Sequence, residues 1–459
     1  MVAPLTQAYA AFAAGLTPNR LPGAAIEVAR LGFTDCVGVM LAAVDDPIVA
    51  LMSRYVRAQG GIPKARLLLG GERATLPQAG LVNATAAHAL DFDDYAFSNH
   101  PSAVLVPTIL AAAEESGADG ARMVAAYVAG YEIWADLMLR EPDHLHSKGW
   151  HPTAVFGPVG AAAAASVVLG YDAERTRHAI ALAASLAGGV MENFGTMAKP
   201  YHGGRASEAG LTAATLAGAG IEASPTALEG DRGLLRALSP KGRADVERPA
   251  ALGHTWRIVK TRLNIKKYPT VGASQRCIDS MLAFRASNAV DPNRIVRLEP
   301  KVSEKHAAVM PFHRPRTALE AKFSLEFAVS CALLHGAVGL QQLEDEVVTS
   351  QEVQRLIERV SIEITDEVDP DYPVGALYDE IRLTLDDGRV LTTPRVRYAT
   401  GHADAPLPTA ALKAKFDDCA QAGGVPSGVA DALFDAMQRI DSLAGVQDVP
   451  GLPTRKAAA

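Results

Sequence analysis

The chain has 459 residues, of which 49% are hydrophobic and 21% are charged, and its formal net charge is −7. This composition is typical of a globular protein and excludes a largely disordered chain. The negative charge and the lack of long Lys/Arg runs argue against nucleic acid as a partner, whereas a locally cationic pocket for an anionic substrate stays compatible with them.

The N-terminal segment and the cysteines indicate a cytoplasmic protein without a membrane segment. The start of the chain, MVAPLTQAYAAFAAGL, has no basic residues before an apolar run, so we do not expect a secretory signal. The most apolar stretch, residues 157–170, is only about 14 residues long and is typical of a buried helix. The cysteines are far apart and form no C-x-x-C pair, so neither a zinc knuckle, an iron–sulfur cluster nor a disulfide framework is expected.

From about residue 6 to residue 235 the sequence predicts helices almost throughout. Apolar residues recur at spacings of three and four, between Gly, Pro and Asn, at 24–41, 80–89, 103–115, 121–139, 157–169, 173–187 and 207–219. Several of these segments have small residues on one face, which lets helix axes approach closely. The pattern favours a large helical bundle.

The pattern changes near residue 265. Alternating or β-branched segments then predict strands at 294–300, 360–365, 380–385 and 389–398. The last two flank Asp386-Asp387-Gly388, which is a strong signal for a hairpin turn because Gly tolerates positive φ. Helices are predicted between the strands at 274–287, 318–335 and 350–359, and again from 410 to 443.

These elements predict a mainly α protein with two domains, as the chain length also favours. Both chain ends, residues 1–264 and 402–459, are expected to form a large all-helical domain. Residues 265–401 are expected to form a smaller α+β domain inserted into it. The tail after about Val449 is predicted to be loose.

A first group of polar residues follows a predicted helix. The segment HALDFDDY at 88–95 contains Asp91, Asp93 and Asp94, and His100 comes shortly after it. Carboxylates this close repel one another, which raises at least one pKa and can provide an acid and a base. Two other interpretations are a helix end whose aspartates face solvent and a zinc or manganese site, although the spacing matches no standard metal motif.

Two further groups precede predicted helices. His151, in the segment GWHPT, is expected near a helix N-terminus, where free N–H groups favour a substrate carboxylate and oppose protonation of the imidazole. Lys199, His202 and Arg205 surround a Pro and two Gly, and form a cationic turn that can bind carboxylates. A capping-region histidine and solvated basic side chains are the simpler interpretations.

In chain order, several segments resemble the MmgE/PrpD family, which includes 2-methylcitrate dehydratase, cis-aconitate decarboxylase and iminodisuccinate epimerase. The segments are DFDD at 91–94, GWHP at 149–152, KPYHG at 199–203, LEG at 228–230, KYP at 267–269 and AKFS at 321–324. The resemblance implies a large helical domain, an α+β lid with the active site between them, a homodimer and no metal or cofactor. It also implies a small anionic polycarboxylate as substrate and proton transfer at a carbon beside a carboxylate.

The resemblance also implies the catalytic residues. Asp91 matches the aspartate of the D-F-D-D motif, and His100 matches the histidine that moves a proton to or from carbon. His151 and Lys199 match the pocket histidine and the pocket lysine, and His202 matches the histidine of the K-P-x-H turn. We therefore predict His100, Asp91, His151 and Lys199 as catalytic residues, with Asp91 orienting His100.

Other positions are predicted to bind substrate or depart from the family. Tyr95 stands where the decarboxylase has threonine, and with His202 and Arg205 it is expected to contact the substrate. Val271 and Gln275 stand where the decarboxylase and many relatives have histidines. Gln275 can still hydrogen-bond a carboxylate, whereas Val271 can neither bond nor exchange a proton.

These departures favour dehydration of a 2-methylcitrate-like polycarboxylate by a cofactor-independent lyase. The alternative is an epimerase or isomerase of an imino- or hydroxy-dicarboxylate, similar to iminodisuccinate epimerase. Decarboxylation of a cis-aconitate-type acid ranks below both, and a non-catalytic carboxylate-binding protein ranks last. The lid loop at 303–314 is expected to set the substrate, with His306, His313 and Arg314 either reaching the pocket or solvated.

Overall fold

The computed structural model describes residues 4–451, which fold into two compact units. The first unit comprises residues 4–193, 198–263 and 409–451, and the second comprises residues 194–197 and 264–408. The first residues of the N-terminal segment, 1–3, and most of the tail that the sequence predicts to be loose, 452–459, lie outside the described residues.

The first unit is built from helices that begin and end near the predicted positions, because Pro, Asp and Thr start them and Gly ends several of them. Up to residue 263 its α-helices are α1 (Leu5–Gly15), α2 (Gly23–Ala42), α3 (Pro47–Gln59), α4 (Leu76–His88), α5 (Pro101–Ser116), α6 (Gly120–Arg140), α7 (Pro152–Leu169), α8 (Ala173–Ala184), α9 (Ala198–Gly218), α10 (Leu234–Leu238) and α11 (Arg257–Thr261).

Helix α7 lies at the centre of this unit and contacts α5, α6, α8 and α9. It begins five residues before the predicted start, at Pro152, so its 18 residues would suffice to cross a membrane by length and composition. Helices α2 and α3 would pass the same test only as one span, and they are bent by 92°. Because α7 is 94% buried inside the protein, the interpretation of this stretch as a buried core helix is confirmed.

Small residues allow the central helices to pack closely. At the contact of α9 with α7, a Cβ atom added to Gly210 would lie 2.7 Å from the backbone nitrogen of Ala162. At the contact of α9 with α4, a Cβ atom on Gly204 would lie 2.6 Å from the carbonyl oxygen of Leu81. The close approach predicted from small helix faces is therefore confirmed, and it brings the ends of α4, α7 and α9 together.

The prediction that the large domain is all-helical is wrong. Its short strands β1 (Ala65–Arg66) and β2 (Arg73–Ala74) pair antiparallel around a turn in which Gly71 has a φ of 69°. The side chain of Asn83 on α4 bonds to the backbone of Arg66 and Leu68 and so fixes this hairpin. Two-residue strands are too short for an alternating pattern to develop, so no strand is predicted here from the sequence.

The second unit mixes helices with small sheets, and strands make up 10% of the whole protein against 56% helix. Its helices are α12 (Gln275–Ser287), α13 (Glu304–Ala308), α14 (Ala318–Ala321), α15 (Leu325–His335), α16 (Asp345–Val348) and α17 (Gln351–Ile357). Its strands are β3 (Ile295–Ser303), β4 (Glu363–Thr365), β5 (Val368–Asp369), β6 (Tyr372–Ala376), β7 (Glu380–Leu385) and β8 (Val390–Thr392). Four of them form a mixed sheet in the order β4-β3-β7-β8, and β5 pairs with β6.

Local signals explain where this unit agrees with the sequence. The hairpin predicted at Asp386-Asp387-Gly388 is confirmed, since β7 and β8 pair antiparallel around it and Gly388 has a φ of 83°. The single helix predicted at 318–335 is instead two helices. Ser324 caps α15 by accepting a hydrogen bond from the backbone N–H of Phe327, and this cap starts a new helix.

Residues 409–451 belong to the first unit and contain α18 (Thr409–Ala422) and α19 (Ser427–Gln438). The sequence predicts helix from 410 to 443, and the break falls where Gly423, Gly424 and Pro426 interrupt it. Helix α18 packs against α2, which brings the C-terminal segment next to the N-terminal helices.

The α7–α9 contact gives a testable prediction. Gly210→Ala forces a methyl group against the α7 backbone, which outweighs the better helix propensity of Ala, and we expect a loss of about 1–3 kcal/mol in the free energy of unfolding. Gly428→Ala on α19 is the matched control, because nothing lies within 4 Å of its added Cβ. Denaturant-induced unfolding of both variants checks this, and equal midpoints would contradict it.

Candidate active site

Four chain segments bring polar side chains together in the first unit. His88 is the last residue of α4, and His100 is the N-cap residue of α5, so a loop of eleven residues joins them. His151 is the N-cap residue of α7, as the sequence predicts. Lys199 lies in the first turn of α9. Packing of these helices, and not their position in the sequence, therefore assembles the site.

The loop between α4 and α5 has an unusual backbone. Asp91, Phe97 and Ser98 have φ values of 49°, 40° and 59°, a region that residues other than Gly rarely occupy. Ala96 and Asn99 exchange two backbone hydrogen bonds, of 2.9 and 2.8 Å, which close the turn before His100. Such conformations cost free energy and persist only where surrounding contacts hold them, and they are common at functional sites.

Lys199 links an aspartate to a histidine. Its ammonium nitrogen donates to Asp91 Oδ1 at 2.5 Å and lies 2.9 Å from His88 Nε2. An ammonium group has no acceptor, so His88 Nε2 must accept this hydrogen bond, and the ring proton of His88 is then on Nδ1. The side chains of Lys199 and Asp91 are each 4% exposed.

Asp93 continues this chain to His100. Its carboxylate accepts from His88 Nδ1 at 3.1 Å and lies 2.8 Å from His100 Nδ1, which is also 3.2 Å from the carbonyl oxygen of Asp94. The two imidazole rings are 4.4 Å apart, measured between centroids. The continuous sequence Asp91–Lys199–His88–Asp93–His100, here called the central cluster, fixes the orientation of each ring. His100 is its most exposed member, with 14% of the side chain exposed.

A second histidine pair adjoins the central cluster. His151 Nδ1 lies 3.1 Å from His202 Nδ1, so one ring donates and the other accepts. The ring of His151 stacks on that of His88 at a centroid distance of 6.0 Å. His151 and His202 are both buried. His100, Asp91, His151, Lys199 and His202, which the sequence singles out separately, thus lie in one place.

Burial and the lysine keep these histidines neutral. Burial, reinforced by the Lys199 charge, lowers the pKa of His88 to about 4 and holds the pKa of His151 well below its ordinary value. Burial also lowers the pKa of His202 to about 4, with His88 as the next cause. The sequence predicts the direction for His151 but attributes it to the helix N-terminus, whereas burial and Lys199 are the main causes.

The pKa values of two aspartates of the loop are shifted in opposite directions. Burial by itself would raise the pKa of Asp93, but His88 and His100 outweigh it and hold that pKa well below the ordinary value. For Asp94, burial and then the neighbouring Asp35 raise the pKa well above the ordinary value. Asp91, Asp93 and Asp94 are all buried, so the interpretation of solvent-facing aspartates is wrong.

The remaining predicted residues lie elsewhere or make other contacts. Tyr95 is half-buried on the loop of the central cluster. Arg205 lies further along α9 and pairs with Glu208 at 2.6 Å. Gln275, in the second unit, is buried and bonds through its amide to Tyr268 and Thr270. The substrate-binding roles of Tyr95, Arg205 and Gln275 stay predictions.

The lid-loop histidines differ from each other. His313 is 69% exposed and pairs with Glu326 at 2.7 Å, and Arg314 is 64% exposed, so their solvated interpretation is confirmed. His306 is buried within the second unit, with its ring 6.0 Å from that of Tyr372.

Sequence reasoning noticed His88 and Asp93 but assigned neither to the site. Both lie in the segment HALDFDDY, and Asp93 is the carboxylate that bridges the two imidazoles. The available signal was the spacing, because a histidine that ends a helix can turn back to an aspartate five residues later. Periodicity alone could not tell Asp91, Asp93 and Asp94 apart.

Four residues of the central cluster could also serve as ligands for a cation. His88, Asp91, Asp93 and His100 offer ligand atoms within 4.8 Å of one another. Lys199 already donates to Asp91 and to His88. A metal ion that used these ligands would have to displace the lysine ammonium, which supplies positive charge at this point. The expectation of a metal-free site stays a prediction.

The histidine pKa values predict how stability depends on pH. His88 and His202 have pKa values of about 4 in the folded chain against an ordinary 6.5, so between these values the unfolded chain binds protons that the folded chain does not. The contribution of these two neutral histidines to the free energy of unfolding is therefore fully present above about pH 6.5, and it is lost as the pH falls towards 4. From pH 7 to pH 5 we expect a loss of about 2 kcal/mol per histidine in the free energy of unfolding.

Urea unfolding at the two pH values measures this loss. His202→Gln is the matched variant, since it removes one of the buried histidines with a lowered pKa and should show a smaller difference between pH 7 and pH 5. Identical pH dependence in the variant and in the unaltered protein would contradict the assignment of His202 as a buried neutral group.

Comparison with known proteins adds the family. Residues 7–247 match the MmgE/PrpD N-terminal domain, and residues 268–434 match the MmgE/PrpD C-terminal domain. Cis-aconitate decarboxylase of Mus musculus is 28% identical over 435 residues, which cover 91% of this chain and 86% of that protein. The Homo sapiens enzyme is 27% identical over 436 residues, with coverages of 91% and 88%.

A third relative is the cis-aconitate decarboxylase-like protein oryM of Aspergillus oryzae, which is 29% identical over 359 residues, or 71% of this chain and 72% of that protein. The two domain matches follow each other in order and together span most of the chain, and the first of them contains every member of the central cluster. On these grounds the chain belongs to the MmgE/PrpD family.

Proposed function

We propose that this protein is a lyase that moves a proton at a carbon next to a carboxylate of a small polycarboxylate. The observation that supports this best is the position of His100. It is the most exposed member of a buried hydrogen-bonded chain, and its Nδ1 is held by the Asp93 carboxylate at 2.8 Å. Proton exchange with a substrate then takes place at Nε2, as in other imidazoles oriented by a carboxylate.

The charge of Asp93 explains how His100 can act. A carboxylate kept ionised beside the ring stabilises the imidazolium form and fixes the tautomer of the neutral form. His100 can therefore hold a proton and release it to a carbanion, or remove one from an acidic C–H bond. Asp93 is fully buried, so it acts through His100 and not through contact with the substrate.

Lys199 and His151 are the residues we assign to the substrate's carboxylates. Positive charge at Lys199 opposes the negative charge of a polycarboxylate and of the enediolate or carbanion formed from it, and in a water-poor site such stabilisation is usually the largest catalytic contribution. Neutral His151 can donate one hydrogen bond without a competing charge. Arg205 pairs with Glu208, so we give it no direct part in this mechanism.

Two reaction outcomes fit this chemistry. Decarboxylation of a cis-aconitate-like acid is supported by the relatives, three of which are named as cis-aconitate decarboxylases or as similar to them. In that reaction the C–C bond to CO₂ breaks, and the electron pair left on carbon takes a proton, which His100 would supply.

Dehydration is supported by the replacement at Val271. This side chain packs against the hydrophobic core of the second unit and offers no group for a carboxylate or a proton. In dehydration of a 2-methylcitrate-like acid, His100 would remove the proton next to the carboxylate and the C–O bond on the neighbouring carbon would break. The proton taken up by His100 would then leave with the hydroxide as water. The homodimer and the cytoplasmic location predicted from the sequence stay predictions.

The first test of this proposal is incubation in D₂O with cis-aconitate, 2-methylcitrate and iminodisuccinate-type acids. We expect deuterium at carbon in at least one acid, with CO₂ release identifying decarboxylation, water loss identifying dehydration and exchange without either identifying epimerisation. His100→Ala should lower the rate by about 10²–10⁴-fold because general acid–base catalysis is lost. His254→Ala, at an exposed histidine, is the control. Equal activity of the two variants would contradict the assignment of His100 as the proton-transfer residue.

The second test compares two adjacent buried aspartates. Asp93→Asn removes an ionised carboxylate, so we expect kcat to fall by about 10²-fold or more with little change in KM. Asp94→Asn removes a carboxyl whose pKa is raised well above the ordinary value by burial and by Asp35, so its charged form is disfavoured and kcat should change much less. Steady-state kinetics on the acid that the unaltered protein turns over measures both values of kcat. Similar losses of kcat in the two variants would refute the role of the Asp93 charge.

A further inference from the structure

Lys415 connects the C-terminal segment to the loop of the central cluster. It lies on α18, and its ammonium nitrogen donates to Asp35 Oδ1 on α2 at 2.6 Å and to the carbonyl oxygen of Phe92 at 2.8 Å. The same nitrogen lies 4.0 Å from the centre of the Phe92 ring. Only 8% of the Lys415 side chain is exposed. The contact joins residues that are 323 positions apart in the chain.

The hydrogen bond from Lys415 to Phe92 is not needed to neutralise the charge of the lysine. Asp35 alone would neutralise Lys415, and burial, which by itself raises the pKa of Asp35, is opposed by the lysine charge. The second hydrogen bond of Lys415 goes to Phe92, which lies between Asp91 and Asp93. Asp91 pairs with Lys199, and Asp93 contacts the imidazoles of His88 and His100. One ammonium group therefore fixes the backbone at the centre of the D-F-D-D motif.

The strained backbone of the loop between α4 and α5 has to be held by contacts from other helices. The loop contains three residues other than Gly with positive φ, and its later half is held by two bonds from outside the loop. Trp134 Nε1 donates to Asn99 Oδ1 at 3.2 Å, and the backbone N–H of His100 donates to Thr153 Oγ1 at 3.2 Å. In the first half of the loop, Lys415 holds the carbonyl oxygen of Phe92, and its ion-pair partner Asp35 bonds to the backbone of Asp94.

We propose that Lys415 is a positioning residue for His100, acting through Phe92 and Asp93. By holding the Phe92 carbonyl, it places the Asp93 carboxylate where it can accept from His100 Nδ1 and from His88 Nδ1. The C-terminal segment thus sets the geometry of a proton-transfer group to which it contributes no reacting atom. This inference rests on the proposed function for its kinetic consequence, whereas its structural consequence can be measured without any substrate.

Two variants separate positioning from stability. Lys415→Met leaves the Asp35 carboxylate buried without its cation, so this variant is expected to lose stability or to fold poorly. Adding Asp35→Asn removes the orphaned charge and keeps a similar shape, so the double variant should recover stability. The bond to Phe92 is still missing in it. Lys413→Met on the same helix is the control, because Lys413 is more exposed and bonds to Asp417 and Asp431.

Amide hydrogen exchange followed by mass spectrometry tests the structural step in the double variant. We expect peptides covering residues 89–100 to exchange about tenfold faster than in the unaltered protein, because the bond from Lys415 to the Phe92 carbonyl oxygen is lost and the loop opens more often, while peptides of α7 keep their rates. Lys413→Met should leave both unchanged. Unchanged exchange of residues 89–100 in a folded double variant would overturn the proposal, and this holds even if no polycarboxylate is turned over.

Kinetics on the acid that the unaltered protein turns over tests the functional step. We expect kcat of the double variant to fall about tenfold with KM changed less than about twofold, because proton transfer and not substrate binding is disturbed. Recovery of both thermal stability and kcat in the double variant would show that Lys415 serves stability alone. If the unaltered protein turns over none of the acids, the proposed function fails, and the exchange result still decides whether Lys415 holds the loop.

Discussion

The buried carboxylate of Asp93 is the constraint on which the site depends. An ionised carboxylate in a protein interior needs compensation, and here two imidazole Nδ1 atoms provide it. The same two contacts favour the tautomer of each neutral ring that carries its proton on Nδ1. His88 in turn accepts from Lys199, so positive charge at the lysine and negative charge at Asp93 are joined through one neutral ring.

Several buried ion pairs join distant parts of the chain. Lys199 pairs with Asp91 across the α4–α9 contact, and Lys415 pairs with Asp35 across the α2–α18 contact. The second unit has its own buried pair, Arg276 with Asp379, in which burial raises the pKa of the aspartate to about 7. Of these three pairs, Lys199–Asp91 and Lys415–Asp35 contact the loop that contains Asp93. These two pairs therefore connect helices and also hold the loop in position.

Membership of the MmgE/PrpD family narrows the chemistry without naming the substrate. The similarity to the mouse cis-aconitate decarboxylase extends over most of this chain. The sequence resemblance nevertheless predicts a histidine in the decarboxylase at the position that Val271 occupies here. In the proposed mechanism, His100 with Asp93 would serve decarboxylation and dehydration alike, because both reactions pass through negative charge on a carbon beside a carboxylate. The leaving group is therefore decided by residues around the substrate and not by this pair.

The sequence by itself determined the features that depend on local chemistry. Helix periodicity, the Asp-Asp-Gly turn and the N-cap position of His151 follow from residues within one or two turns of each other, and the ordered motifs identified the site's catalytic candidates. Tertiary structure alone decided that Asp93 bridges His88 and His100, that Lys415 reaches Phe92, and that a two-residue hairpin interrupts the helical unit. The reason is physical. Local patterns fix the shape of a segment, whereas which of several similar carboxylates becomes buried and charged depends on the side chains that other, distant helices bring to it.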